Sequence, residues 1–446
     1  MLKSKLSPKI TTDENYYFFS MLSDRFAPLN DIWAKKLQER FGHKFKPISL
    51  LMFHHNKIFE EENFVVFNNR LEQIYGTLNR TDIIDMRYQE DLNKEFSKSP
   101  EMISLIDDLV KKQGKVFILA FSSVWLKPQN ENVVILGPNP EISEYFDSKH
   151  MHSDLFSRLG LPVIPTTIYK NISELRSKQK EFPFFISALW SNGGFESKII
   201  MTKQDLAVFY SNLRPVNKKS PLIVTKYLDD IVLSPNTNAI VTGPNKAVTI
   251  HVTDQIMRSN AYMGNIYPSK ASKSHKKQMI EMTEQVGRHM GSKGFRGLFG
   301  LDFLITKSGK CYPTDLNPRR QGGYYCNVSA SPIDIVELEL ALAMGEQTPA
   351  VDYDDFQVDY CWAHSKLSPY YSNSRLRVEF CDGEPREPFE KIGASHRAIY
   401  YPKDHTIIFG NPGFYLTSGN DYDELIDRLH KEIEITISTS YDLYHK

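Results

Sequence analysis

The pattern that most restricts this chain lies between residues 295 and 323. Two apolar runs, Gly297 to Ile305 and Lys310 to Leu316, flank a Ser308-Gly309 turn, and each carries a carboxylate, Asp302 in the first and Asp315 in the second. Run lengths and turn predict a β-hairpin. Side chains alternate across a strand, so Asp315 and Asn317 project to one face, and Asp302 lies beside them if the two strands pair. Arg319 keeps that face by spacing if the strand runs past Pro318. A surface hairpin would leave these groups in water. A cleft would gather three hard oxygen ligands suited to Mg²⁺, with Mn²⁺ as a substitute, and a guanidinium able to grip a phosphoryl group or carboxylate through two parallel hydrogen bonds.

The hairpin sits late in a chain of 446 residues, which has room for several domains or subdomains of about 100–200 residues each. In the first third, short apolar runs (Ile48 to Phe53, Phe64 to Phe67, Val116 to Phe121, Val133 to Leu136) alternate with helical spacing such as Asn30 to Phe41. That order predicts an α/β layer with a largely parallel sheet. A boundary is expected near Pro138 to Ser143. Strands are then expected at Phe182 to Ala188, Ser197 to Met201 and Leu222 to Lys226, a longer β region to Gln255, and a helix over about Ser274 to His289. Tyr262 to Pro268 reads as a loop. A further α+β piece follows from about Thr348.

The 54 basic residues balance 54 acidic ones, so no bulk attraction to nucleic acid or an anionic membrane is expected. No apolar run approaches the ~20 residues of a membrane span. Neither a secretory signal nor paired cysteines are visible, and a cytoplasmic protein with reduced thiols is expected. His54-His55 lack partners at ligand spacing and read as structural or surface residues.

On Gly300-Leu-Asp302-Phe and Asp315-Leu-Asn317-Pro-Arg319, the chain resembles the ATP-grasp superfamily over about residues 146–345. The resemblance implies ATP and Mg²⁺, with Asp302, Asp315 and Asn317 as metal ligands and Arg319 holding phosphate or substrate. Asp315 stands where that family usually has Glu. The resemblance also implies a phosphate-binding lysine at Lys149 and a glycine-rich flap at Ser191 to Gly194, where Gly193 and Gly194 would let backbone N–H groups approach phosphates. It implies an adenine hinge in which the backbone of Lys226 and Leu228 reads the base and Asp230 or Asp229 holds the ribose. The family's second phosphate lysine is replaced by Ser187, and Lys198 on the facing strand is the candidate to supply its charge.

The resulting expectation has three parts. They are an N-terminal α/β pre-ATP-grasp domain (1–145), an ATP-grasp domain of two α+β subdomains clasping ATP (146–345, flap subdomain about 181–226), and a C-terminal α+β extension (346–446). The implied function is an ADP-forming ligase with Lys149 and Arg319 as its catalytic cations, joining a carboxylate to an amine as in the amino-acid and peptide ligases of natural-product pathways. One alternative is loading of a thiol on an acyl or peptidyl carrier protein, docked on the basic run Lys270, Lys273, His275, Lys276 and Lys277, which equally reads as the solvated start of a helix. The other is a degenerate nucleotide-binding module. The carboxylate, the acceptor and any homo-oligomeric state stay open.

Overall fold

The computed structural model describes residues 4–6, 10, 15–22, 28–51, 64–67, 92–179, 181–189, 196–213, 215–258, 261–366, 398–401, 406–410, 413–433 and 438–439. His54, His55, Gly193 and Gly194 lie outside the described residues.

The N-terminal apolar runs form a six-stranded sheet. Five strands are parallel, in the order Phe64–Phe67, Phe45–Leu51, Tyr16–Ser20, Val116–Leu119, Val133–Leu136, and Ser4–Leu6 closes one edge antiparallel. Both faces are covered, so the strands read as unbroken apolar runs rather than alternating ones. Tyr17 and Phe19 pack with Leu105 and Leu109 of the helix Pro100–Gln113, whereas Phe18 packs with Trp33 and Leu37 of the helix Pro28–Phe41. The first of these helices begins where Ser99 accepts from Met102 N and ends at Gly114, whose φ of 74° suits a residue without Cβ. Trp33 is fully buried, and such a side chain contributes roughly 2–3 kcal/mol of transfer free energy.

A second, four-stranded antiparallel sheet has the order Thr166–Tyr169, Leu222–Lys226, Phe184–Ala188, Ser197–Ile200. Period-two alternation gives it two different faces. Phe184, Ile186, Ala188 and Ile200 pack under the helices Ile172–Lys178 and Lys203–Asn212. Phe185, Ser187, Ser197 and Ile199 face the other way, into a cleft. The helix Pro140–Phe146 straddles the expected 145/146 boundary.

The third sheet forms the opposite wall of the cleft. Its described strands include Gly297–Thr306, paired on one side with Cys311–Asn317 and on the other with Pro235–Gly243. Lys246–Arg258, Ala261–Tyr267 and Cys361–Lys366 continue the sheet. The helix Lys273–Ser292 covers its far face through Met279, Met282, Val286 and Met290. Residues 262–267, expected as a loop, are strand, because Asp254 to Ile256 pair with Gly264 to Ile266. The strands after residue 346 join this same sheet. Among the described residues no helix is long and apolar enough to cross a membrane.

Candidate active site

Cross-strand registry lines up a row of polar side chains on the cleft-facing side of the large sheet. Asp315 lies opposite Asp302, Asp302 opposite Asn236, and Asn236 opposite Thr253. Asn265 reaches Thr253 with its amide nitrogen (2.8 Å) and lies opposite His364 on the next strand. Asn236 and Thr253 are buried within the sheet. Asn236 Nδ2 donates to Asp302 Oδ1 at 2.5 Å, which fixes one carboxylate oxygen. The expected pairing of Asp302 with Asp315 is therefore present. Asn317 is one cross-strand step along, its Nδ2 3.5 Å from Asp302 Oδ2.

The residues after the hairpin complete the cluster. Arg319 Nη2 donates to Asn317 Oδ1 at 2.7 Å, although the strand ends at Asn317 and does not run past Pro318 as the spacing argument required. Its Nε stands 4.0 Å from Asp147 Oδ1. Lys149 comes from the opposite side, out of the short 3-10 turn Lys149–Met151, and donates to Asp315 Oδ2 at 2.5 Å. His152 was not singled out in the sequence. Its Nε2 donates to Phe146 O at 2.9 Å, which turns Nδ1 to within 3.3 Å of Asp315 Oδ1.

The two carboxylates divide their titration. Burial, and then the negative charge of Asp315, raise the Asp302 carboxyl to about 6. Burial also works against Asp315, but Lys149 and His152 outweigh it and hold that carboxyl well below the usual range. Burial raises Asp147, opposed by Arg319 and Lys149. Two hard carboxylates facing each other across one strand pair, one of them held back from ionising by burial and by the charge of the other, suit a divalent cation. The Asn317 carbonyl fits as a third ligand only through the lone pair that Arg319 leaves. Among the described residues no group of three His, Cys, Asp or Glu side chains offers another metal site.

The cleft between the sheets has a volume of about 390 Å³. Its lining runs from Ile164, Ile223, Lys226 and Leu228 at an apolar end, past Lys149, Asp302 and Asp315, to Arg319, Gln321 and Tyr262. Lys226 and Leu228 thus stand where the hinge was expected. The Lys226 N–H is already engaged by Pro165 O at 2.9 Å. Two expectations are corrected. Lys198 pairs with Ile186, whose side chain lies in the helix-covered core, so alternation turns Lys198 away from the cleft; Ser197 stands opposite Ser187. Asp230 does not line the cleft either, because its carbonyl accepts from Lys307 N and ties the segment to the hairpin turn.

A second polar cluster was also missed. Arg320 Nη2 and Glu339 Oε1 lie 2.7 Å apart with each side chain 1% exposed, and Arg320 Nη1 donates to Ala120 O of the N-terminal layer. The guanidinium lies between the Trp33 and Tyr324 rings, 5.6 and 5.0 Å from their centroids. The doublet Arg319-Arg320 was visible, but nothing local distinguished the buried arginine from the cleft arginine.

Residues 170–323 match the family model described as an ATP-grasp domain. The chain contains an ATP-grasp domain. It is 23% identical over 382 residues to the carbamoyl phosphate synthase large chain of Clostridium botulinum (strain Loch Maree / Type A3), covering 81% of this chain. It spans only 34% of that relative's length. In fold it is similar to biotin carboxylase from Campylobacter jejuni (TM-score 0.62, 15% identity, 97% of this chain and 94% of the other). It is similarly close to the biotin carboxylase domain of Hydrogenobacter thermophilus 2-oxoglutarate carboxylase, whose structure holds MgADP, ADP and bicarbonate (TM-score 0.63, 14% identity, 95% and 90%). The hairpin, the strand Leu222–Lys226 and the four-stranded sheet to which it belongs border one cleft.

Proposed function

We propose that the protein is an ATP-dependent ligase that activates a carboxylate as an acyl phosphate and transfers it to an amine. The observation that carries this is the convergence, in one cleft, of the Asp302–Asp315 pair with Lys149 and Arg319. Adenine sits between Lys226, Leu228 and the apolar lining at Ile164 and Ile223. The triphosphate runs toward Asp302 and Asp315, which with Asn317 are the residues that would hold Mg²⁺. When bound, that ion neutralises phosphate charge and draws electrons from the γ-phosphorus. Lys149 leaves Asp315 for the phosphates. Arg319 holds the carboxylate in line with the γ-phosphorus and then faces the charge that spreads over the transferred group. A carboxylate oxygen bonds to that phosphorus and ADP departs. The amine nitrogen next bonds to the acyl carbon, inorganic phosphate leaves with the C–O bonding pair, and the nitrogen gives up a proton.

Amide formation is favoured over thiol loading because two members of the basic run are already engaged within the molecule, while Lys273 and Lys277 stay exposed. Lys270 pairs with Asp423, and Lys276 is half-buried near Asp254. The degenerate-module reading rests on Ser187 and on Thr225, which stands where the resembled hinge usually has Glu; Lys149 and both carboxylates, all lining the cleft, count against it. The test is a coupled ADP-release screen of amino acids, singly and in pairs, with bicarbonate included and with or without a carrier protein. Amide products by mass uphold the reading. Thioester on the carrier, or no ADP release above the background without substrate, removes it.

A further inference from the structure

Asp302 sits between two amides. Its strand pairs with Pro235–Gly243 on one side and Cys311–Asn317 on the other, which sets Asn236 directly opposite Asp302 on the first and Asn317 one step along on the second. Asn317 Nδ2 stands 3.5 Å from Asp302 Oδ2, the outer limit of a hydrogen bond, and leaves that oxygen open. Asn236 is buried and much closer, with its Nδ2 on Asp302 Oδ1.

The surroundings of Asn236 settle which way its amide points. Nδ2 donates to Asp302 Oδ1 at 2.5 Å and to Leu301 O at 3.2 Å, so both of its hydrogens are spent on the facing strand. At the other end Asn238 Nδ2 donates to Asn236 Oδ1 at 2.9 Å. Turning the amide over would set oxygen against oxygen at Leu301 and Asp302, and nitrogen against nitrogen at Asn238, inside a buried sheet. The backbone is held as well. The Thr253 hydroxyl accepts from Asn265 Nδ2 and donates to Asn236 O at 3.4 Å. Asn238 is itself buried. Asn238 and Asn236 therefore form a one-way relay that ends on a single oxygen of Asp302.

Two properties of a cation site follow. A carboxylate pinned at one oxygen has the other to turn to a metal. Ca²⁺ takes roughly six to eight oxygens and readily accepts two from one carboxylate, whereas the smaller Mg²⁺ demands about six in a tight octahedron. Charge sets the second property. Asn236 lines the cleft, and among the described lining residues Asp302 and Asp315 are the only carboxylates. An aspartate at position 236 would have nearly the same shape, but it would add a third negative charge to the row and repel Asp302 instead of pinning it.

We propose that Asn236, held by Asn238, sets the metal preference of the site: it limits Asp302 to one-oxygen coordination and so favours Mg²⁺ over Ca²⁺. Both asparagines are positioning residues that act through Asp302. The inference rests on the metal assignment within the ligase reading and adds what makes the site choose between cations.

The experiment reads binding rather than turnover. Mn²⁺ is bound to the protein together with the β,γ-methylene analogue of ATP, and its electron paramagnetic resonance signal is followed as Mg²⁺ or Ca²⁺ displaces it. Wild type, Asn236→Asp, Asn236→Leu and Asn238→Ala are compared by the ratio of Ca²⁺ to Mg²⁺ affinity. That ratio is expected to rise about tenfold in Asn236→Asp, which gains a carboxylate. It rises several-fold in Asn236→Leu, which releases Asp302 without changing the charge, and by less in Asn238→Ala, which only unties the relay. A ratio unchanged in both variants of residue 236, with the two ions weakened alike, makes the relay purely structural and overturns the inference. Should circular dichroism show those two variants unfolded, Asn238→Ala decides alone, and an unchanged ratio there overturns it. Wild type in which neither ion displaces Mn²⁺ removes the metal assignment, and this inference with it. Wild type that binds metal and nucleotide but releases no ADP in the substrate screen removes the ligase reading, while the selectivity stands or falls on the variant ratios.

Discussion

Lys149 and Asp315, 166 residues apart in sequence, meet across the floor of the cleft with Nζ donating to Oδ2 at 2.5 Å. The ammonium thus occupies the flank of the carboxylate pair that a divalent cation needs, while also being the charge assigned to the phosphates.

Replacing Lys149 by Met is therefore expected to have opposite effects on two ligands. ATP binding weakens about tenfold or more, roughly 1.4 kcal/mol. Binding of Mn²⁺ without nucleotide, followed by electron paramagnetic resonance, tightens several-fold because the competing cation is gone. Weaker binding of both ligands would show that Lys149 organises the pair rather than competing for it.

Lys198→Ala is expected to leave the ATP dissociation constant within about twofold of wild type, since strand alternation turns this side chain from the cleft. Isothermal titration of ATP checks it. A tenfold loss would mean that the flap strand shifts register on binding.

The Arg320–Glu339 pair separates stability from activity. Glu339→Gln leaves a buried guanidinium uncompensated and costs about 3–5 kcal/mol. The double change Arg320→Met/Glu339→Leu recovers most of that in thermal unfolding, as apolar replacement of a buried pair does. Turnover stays low in both variants, because the bond from Arg320 to Ala120 O that anchors the turn beside Arg319 is absent or loosened. Full recovery of turnover in the double variant would make the pair purely structural.

Asp254 gives a pH dependence remote from the carboxylate pair. It is fully buried, accepts from Ser269 Oγ, Lys270 N and the Tyr422 hydroxyl, and burial raises its carboxyl to about 6. The folded value exceeds the unfolded one, so the stability it contributes as a neutral acid is complete below about pH 4 and is lost as pH rises through about 6. Full ionisation costs on the order of 3 kcal/mol. The Tm of Asp254→Asn is expected to gain on wild type between about pH 3.5 and about pH 7.5, on either side of that window. A Tm difference that does not change with pH would remove the assignment.

Much of the site could be read from the sequence because its chemistry is local. Asp302, Asp315 and Asn317 sit on one hairpin, where period-two alternation and a Ser-Gly turn fix which side chains share a face, and Arg319 follows two residues past its end. The parallel N-terminal sheet was legible for a similar reason, since strands covered on both faces are apolar throughout. Strand parity also decides Lys198, but the reading there depended on which residue faces Ser187, and a shift of one residue reverses the face. His152, Asn236, Asn265 and His364 were not legible. Each acquires its role from a partner on another element, as His152 does from Asp315 and His364 from Asn265, and a lone polar residue carries no mark of its partner. Tyr262 to Tyr267 looked like loop because Gly264 and the following proline punctuate it; the glycine is there because the His364 carbonyl would lie 1.8 Å from a Cβ.

The central claim is that Asp302 and Asp315 together hold the divalent cation against the nucleotide. Its most direct test is calorimetric titration of ATP, with and without Mg²⁺, into wild type and the Asp302→Asn/Asp315→Asn variant, with circular dichroism confirming that both are folded. Mg²⁺ is expected to tighten ATP binding about tenfold or more in wild type and to leave the variant unaffected. Equal tightening in both proteins would contradict the account.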